Sequence, residues 1–224
     1  MQKKVNSFIQ RKLKTDFFKN VLVLFSGTAL GQMIPVIISP ILSRLYSPED
    51  FGVLGLYISI ATIFSVLATA RYEKAILLPK NEKDSVNIVA LSIIISIFVS
   101  FIIFLLVWFF NESLSGLLNN EAISPWLFFL PLSILFAGFF QSFNNWSNRN
   151  KSYKRLAFSK ILKGGSTGAI NLSVGIYQSG PFGLIGGYIA GPLFSSSYLA
   201  YRTLKFDRPL IKYISKERIL KNAI

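Results

Sequence analysis

Cysteine and histidine are both missing from this 224-residue chain. Without cysteine no disulfide and no thiolate metal site can form. Without histidine the commonest general base and metal ligand is gone. Charge is scarce as well, since Asp, Glu, Lys and Arg make up only 15% of the residues, against about 25% in soluble domains. None of the 10 acidic residues lies in the interior of a long apolar run, and no glycine-rich phosphate loop ending in Lys-Ser/Thr is present. Glu49 and Asp50 follow Ser47-Pro48 and read as a helix start, with a capping hydroxyl, a proline in the first turn and acids against the helix dipole. No enzymatic activity, metal or cofactor is expected.

What remains is apolar. Hydrophobic residues make up 52% of the chain and include 21 Phe. They fall in runs of about 20 residues separated by short charged segments, which is the pattern of helices cut to a hydrocarbon thickness of about 30 Å. A soluble bundle would carry charges every few residues on its outer faces. The sequence therefore predicts an all-α, polytopic membrane protein with six transmembrane helices at about 21–43, 52–70, 86–110, 126–145, 157–177 and 182–200. The third is the most uniform, with no charge from Val86 to Phe110. The fifth is the most polar, carrying Lys160 and Lys163 among Gly, Ser and Asn. The first 20 residues are basic and interrupted by polar side chains, so they do not read as a cleavable signal peptide.

The formal net charge of +14 raises nucleic acid as a partner, but the basic residues do not form one continuous face. They sort by loop instead. With six spans, 23 of the 24 Lys and Arg fall on one side, and Arg44 alone falls on the other. By the positive-inside rule the rich side is cytoplasmic, with both termini there. Topology accounts for the charge, and no nucleic-acid partner is expected. Residues 1–20 read as an amphipathic helix lying on the cytoplasmic lipid surface, because Val5, Phe8, Ile9, Leu13 and Phe17 recur at helical spacing among basic residues. Residues 201–224 read as a basic cytoplasmic tail or linker of similar character.

Three features depart from plain lipid-facing helix. The first span contains Gly27, Gly31, Gln32, Pro35 and Pro40, and proline removes an intrahelical hydrogen bond. Such breaks are tolerated at membrane depth where neighbours or water satisfy the freed carbonyl, so this span lines a cavity or bends, with Pro35 and Pro40 as hinge positions. Lys160 and Lys163, three apart, share one face of the fifth span. They either snorkel to the headgroups or face a hydrated cavity suited to an anionic substrate, where ammonium groups act as point charges for phosphate. Glycines four apart, Gly164/Gly168, Gly183/Gly187 and Gly187/Gly191, permit close helix approach.

Residues 39–52, Ser-Pro-Ile-Leu-Ser-Arg-Leu-Tyr-Ser-Pro-Glu-Asp-Phe-Gly, and residues 71–80, Arg-Tyr-Glu-Lys-Ala-Ile-Leu-Leu-Pro-Lys, resemble the N-terminal region of polysaccharide flippases. These are the Wzx-type O-antigen translocases of the multidrug/oligosaccharidyl-lipid/polysaccharide exporter superfamily. The basic loop from Asn148 to Arg155 is similar too. The resemblance implies a two-lobed exporter fold of which these six helices form one lobe, working by alternating access about a central cationic cavity. It implies flipping of undecaprenyl-diphosphate-linked oligosaccharide across a bacterial inner (plasma) membrane, for surface polysaccharide or the O-antigen of lipopolysaccharide. The implied partners are that lipid-linked oligosaccharide, membrane lipids and a second transmembrane lobe, in the same full-length chain or another subunit. By motif position it implicates Arg44, Arg71, Glu73, Lys74, Lys160 and Lys163 in substrate binding. The chain is read as the N-terminal half of the full transporter, whether a fragment, a truncated frame or a half-transporter. Two other functions stay open: a small-molecule or drug exporter of the same superfamily, and a membrane-embedded polysaccharide polymerase or glycosyltransferase.

Overall fold

The computed structural model describes residues 2–68, 71–177, 180–215 and 219, with side chains described from Phe18 onward except those of residues 67 and 211. Among these residues every regular element is helical: α1 (Gln2–Leu45), α2 (Pro48–Ala68), α3 (Tyr72–Ala75), α4 (Glu82–Leu117), a 3-10 turn (Glu121–Ile123), α5 (Ser124–Leu127), α6 (Leu130–Arg149), α7 (Tyr153–Tyr177), α8 (Phe182–Phe206) and α9 (Arg208–Ile211). The backbone of residues 2–20 belongs to α1, while the amphipathic character predicted for that segment rests on side chains outside the described residues.

Local chemistry sets the ends of these helices. Ahead of α2, the Asp50 N–H donates to Ser47 Oγ at 3.2 Å and the Ser47 N–H to Asp50 Oδ2 at 2.9 Å. This reciprocal cap satisfies two donors that the first turn leaves without helical partners. α4 leaves helical geometry at Phe110 (φ −122°, ψ 16°) and then resumes to Leu117. The break falls where the apolar run ends, so residues 111–117 form a helical extension where the sequence predicts a loop.

Phe18–Leu45, Pro48–Val66 and Glu82–Leu117 are long and apolar enough to cross a membrane, and the pair Glu121–Leu127 and Leu130–Arg149, bent by 53°, makes a fourth if taken as one span. Phe25, Val36 and Ile37 on α1 and Phe98, Trp108 and Phe109 on α4 face outward, as hydrocarbon contact requires. By length and composition the chain is a membrane protein. The remaining two of the six predicted spans correspond to α7 and α8, at 25 residues each. They are long enough but less apolar, and the packing gives the reason. α7 lies between α1 and α8, and α8 between α7 and α6, so polar and small residues on them meet protein.

α4 packs on α6, and α2 on α6, α4 and α8. Serines join α4 to α6: Ser92 and Ser142 hydroxyls meet at 2.8 Å, and Ser100 Oγ donates to the Pro131 carbonyl at 2.6 Å. Such bonds are worth roughly 0.6 kcal/mol each within membranes. The main apolar core joins Val53, Tyr57, Ile103, Val107, Leu127, Ile134 and Ile185.

Side chains also bind the loops of the basic end together. Arg149 donates to the carbonyls of Ile76, Leu77 and Pro79. Asp207 Oδ2 accepts from Arg155 and from the indole of Trp146, both at 2.9 Å. Asn87 Nδ2 donates to the Tyr213 carbonyl at 3.0 Å, and its Oδ1 accepts from the Ser215 N–H at 2.9 Å. The predicted tail is therefore docked on the helices as far as Ser215.

Candidate functional site

α1 approaches α7 along one narrow stripe. A Cβ at Gly27 would overlap Ala157, and one at Gly164 would overlap the carbonyl oxygen of Gly31. Glycine is what lets these backbones touch. α8 approaches α7 in the same way, with Gly187 against Asn171 and Gly191 against Thr167. Tyr46, just beyond α1, donates its hydroxyl to the Asn171 carbonyl at 2.6 Å, and burial together with nearby Asp50 raises its phenol above the ordinary value.

With α1 held on α7 and α2 held on α6, an open cleft of about 630 Å³ is left between the two pairs, and α8 forms its floor. α1 contributes Thr28, Gln32 and Pro35, α6 contributes Phe140 and Gln141, and α8 contributes Tyr188 and Pro192. Each of the two prolines removes a helical hydrogen bond beside the cleft, from the carbonyls of Gly31 and Tyr188. α1 nevertheless continues as helix through Pro35 and Pro40.

α7 contributes Lys160, Lys163 and Thr167 to the lining. α7 starts at Tyr153, four residues before the predicted span. Lys160 is therefore about 10 Å and Lys163 about 15 Å along the helix axis from its start, at 1.5 Å per residue. Lys160 Nζ donates to Thr28 Oγ1 at 2.8 Å. Lys163 Nζ sits 4.9 Å from the centre of the Phe140 ring. Beside the cleft, Tyr57 and Ser133 hydroxyls meet at 2.6 Å, and the Tyr57 and Tyr188 rings are edge to face at 5.9 Å. No carboxylate lines the cleft among the described residues.

The implicated residues thus separate. Lys160, Lys163 and Pro35 come together in the cleft. Arg44 is exposed at the end of α1, and among the described residues it forms no ion pair with Glu49 or Asp50. Arg71 is exposed and caps α3 in a left-handed conformation (φ 58°), and Lys74 is exposed. Glu73 is buried on α3 with Oε2 lacking any hydrogen-bond partner. Pro40 is exposed on α1. None of these lines the cleft.

Thr28, Phe140, Gln141, Thr167 and Tyr188 line the cleft without having been singled out in the sequence. Their only advance signal is polarity or aromaticity within apolar runs, which dozens of other positions share. Chemically the cleft offers two ammonium donors, amide and hydroxyl groups and an aromatic wall, an inventory that binds an anion with a polar appendage.

No curated protein and no solved structure matches this chain. A family model described as polysaccharide biosynthesis protein matches residues 41–216. The matched stretch includes most of the cleft, with Lys160 and Lys163, and both flippase-like loop motifs but for Ser39 and Pro40. The chain belongs to this family of polysaccharide biosynthesis proteins.

Proposed function

We propose that this chain is one lobe of a two-lobed exporter that flips undecaprenyl-diphosphate-linked oligosaccharide across a bacterial inner membrane, by alternating access, for surface polysaccharide or O-antigen synthesis. The observation that carries the reading is the cleft: two lysines and, among the described residues, no lining carboxylate, in a helical bundle that holds three helices long and apolar enough to cross a membrane. A diphosphate cannot cross hydrocarbon unaided, because transfer of an unpaired charge out of water costs many kcal/mol. Fixed cations in a wet cleft lower that barrier without a proton or a metal.

The lobe comprises six spans, α1, α2, α4, α6, α7 and α8, with both termini cytoplasmic. At 25 residues α7 and α8 are each about 37 Å long, more than a hydrocarbon core of about 30 Å. A second lobe completes the cavity on the side between α1 and α2, and Pro35 and Pro40 give α1 its freedom to bend. An exporter of apolar drugs would gain nothing from two uncompensated ammonium groups, so the cleft favours the anionic substrate.

The test is genetic. In a bacterium that makes the native protein, Lys160→Ala combined with Lys163→Ala is expected to abolish surface polysaccharide while protein level in the membrane is unchanged. Normal polysaccharide in that double variant removes the case for a cationic cleft.

A further inference from the structure

A lysine near one end of a membrane helix can carry its charge to the headgroups along its flexible stem. Lys160 and Lys163 instead line the cleft, and their contacts there are visible. The geometry points to Thr28 and Phe140 as the positioning residues that keep Lys160 and Lys163 turned into the cleft, ready for a diphosphate. This rests on the reading of the cleft as a diphosphate site.

Thr28 Oγ1 donates to the Leu24 carbonyl at 2.7 Å, so its hydroxyl proton is already committed. Its lone pairs are left as a fixed acceptor for Lys160 Nζ at 2.8 Å. An ammonium has three donors, and Lys160 therefore keeps two for phosphate oxygens. On the other wall, the face of Phe140 attracts the Lys163 cation, whose distance of 4.9 Å lies within the roughly 6 Å reach of that interaction. Thr28 belongs to α1 and Phe140 to α6, so each lysine leans toward a different wall.

The choice of partners is the informative part. A carboxylate at either place would hold its lysine more tightly, but it would also cancel the charge. A hydroxyl and an aromatic ring hold the ammonium groups and leave both without a carboxylate partner among the described residues. Holding them before the ligand arrives also removes the cost of ordering two long side chains on binding.

The experiment is calorimetric titration of the purified full chain in lipid nanodiscs with inorganic pyrophosphate. Thr28→Val and Phe140→Leu are each expected to weaken binding about tenfold, which corresponds to 1.4 kcal/mol. Thr28→Ser, which keeps the acceptor, restores it. In parallel, a water-soluble amine reagent followed by peptide mass spectrometry is expected to label Lys160 faster in Thr28→Val, because the freed ammonium moves out to the headgroups. A merely structural role would not move that labelling.

Lys160→Gln and Lys163→Gln separate the two ideas. If both lose pyrophosphate binding while Thr28→Val and Phe140→Leu bind and label like wild type, the positioning role is overturned and the diphosphate reading stands. Equal loss in Thr28→Val and Thr28→Ser also overturns positioning. If the Lys→Gln variants bind like wild type, the diphosphate reading fails and the positioning role goes with it.

Discussion

Adjacent glycines on α7 give a test of the packing with its own control. A methyl group added at Gly164 would overlap the carbonyl oxygen of Gly31 on α1, whereas one added at Gly165 would meet only Ile34 Cδ1 at 4.0 Å. The obstacle at Gly164 is backbone, so no rotamer change relieves it and α1 must move away from α7. Overpacking of this kind costs about 1–3 kcal/mol, and a rigid backbone partner puts Gly164→Ala near the upper value. The gain in helix propensity from Gly to Ala is about 1 kcal/mol, and it applies at both positions. The net expectation is a loss of about 2 kcal/mol for Gly164→Ala and a neutral or stabilising effect for Gly165→Ala. Reversible unfolding in mixed detergent micelles, followed by circular dichroism, measures both. Because the displaced α1 also carries Thr28, Gly164→Ala is expected to disturb the Lys160 contact as well. Equal stability of the two variants would refute the argument that close α1–α7 approach organises the cleft.

At the basic end, Arg155 is 8% exposed and Trp146 fully buried, and both donate to Asp207. Asp207→Ala strands a charge and an indole N–H together, so a loss of about 3 kcal/mol is expected in the same unfolding assay. Asp207→Asn keeps one acceptor and loses less, and a change under about 0.5 kcal/mol in Asp207→Ala would show that this network is not structural. For orientation, reporter fusions at Lys83 and Lys154 are expected to read as cytoplasmic. An exported signal at either would reverse the topology.

Three of the six expected spans, and a fourth as a bent pair, were legible because hydrophobic length is a property of each segment alone. Ser47 and Asp50 announced the start of α2 through their own side chains, and the bonds form as that motif requires. The edges were less legible. α7 begins at Tyr153, ahead of the apolar run, and this places Lys160 about two turns and Lys163 about three turns from the helix start. That two of the six implicated residues share a cleft follows from α7 lying between α1 and α8, an arrangement that no local pattern encodes. Arg149 and Arg155 illustrate the same limit. In the sequence they count toward orientation, and only folding brings them to the Ile76–Pro79 carbonyls and to Asp207. Phe140 is one of 21 phenylalanines, and nothing but its place beneath Lys163 distinguishes it.

The central claim is that the cleft recognises a diphosphate through Lys160 and Lys163. Native mass spectrometry of the full chain, released from detergent with farnesyl diphosphate or farnesol as probe, tests it directly. The account predicts that the diphosphate is retained and the alcohol is not, and that Lys160→Gln combined with Lys163→Gln abolishes retention. Equal retention of both probes, or retention of the diphosphate by the double variant, would contradict it.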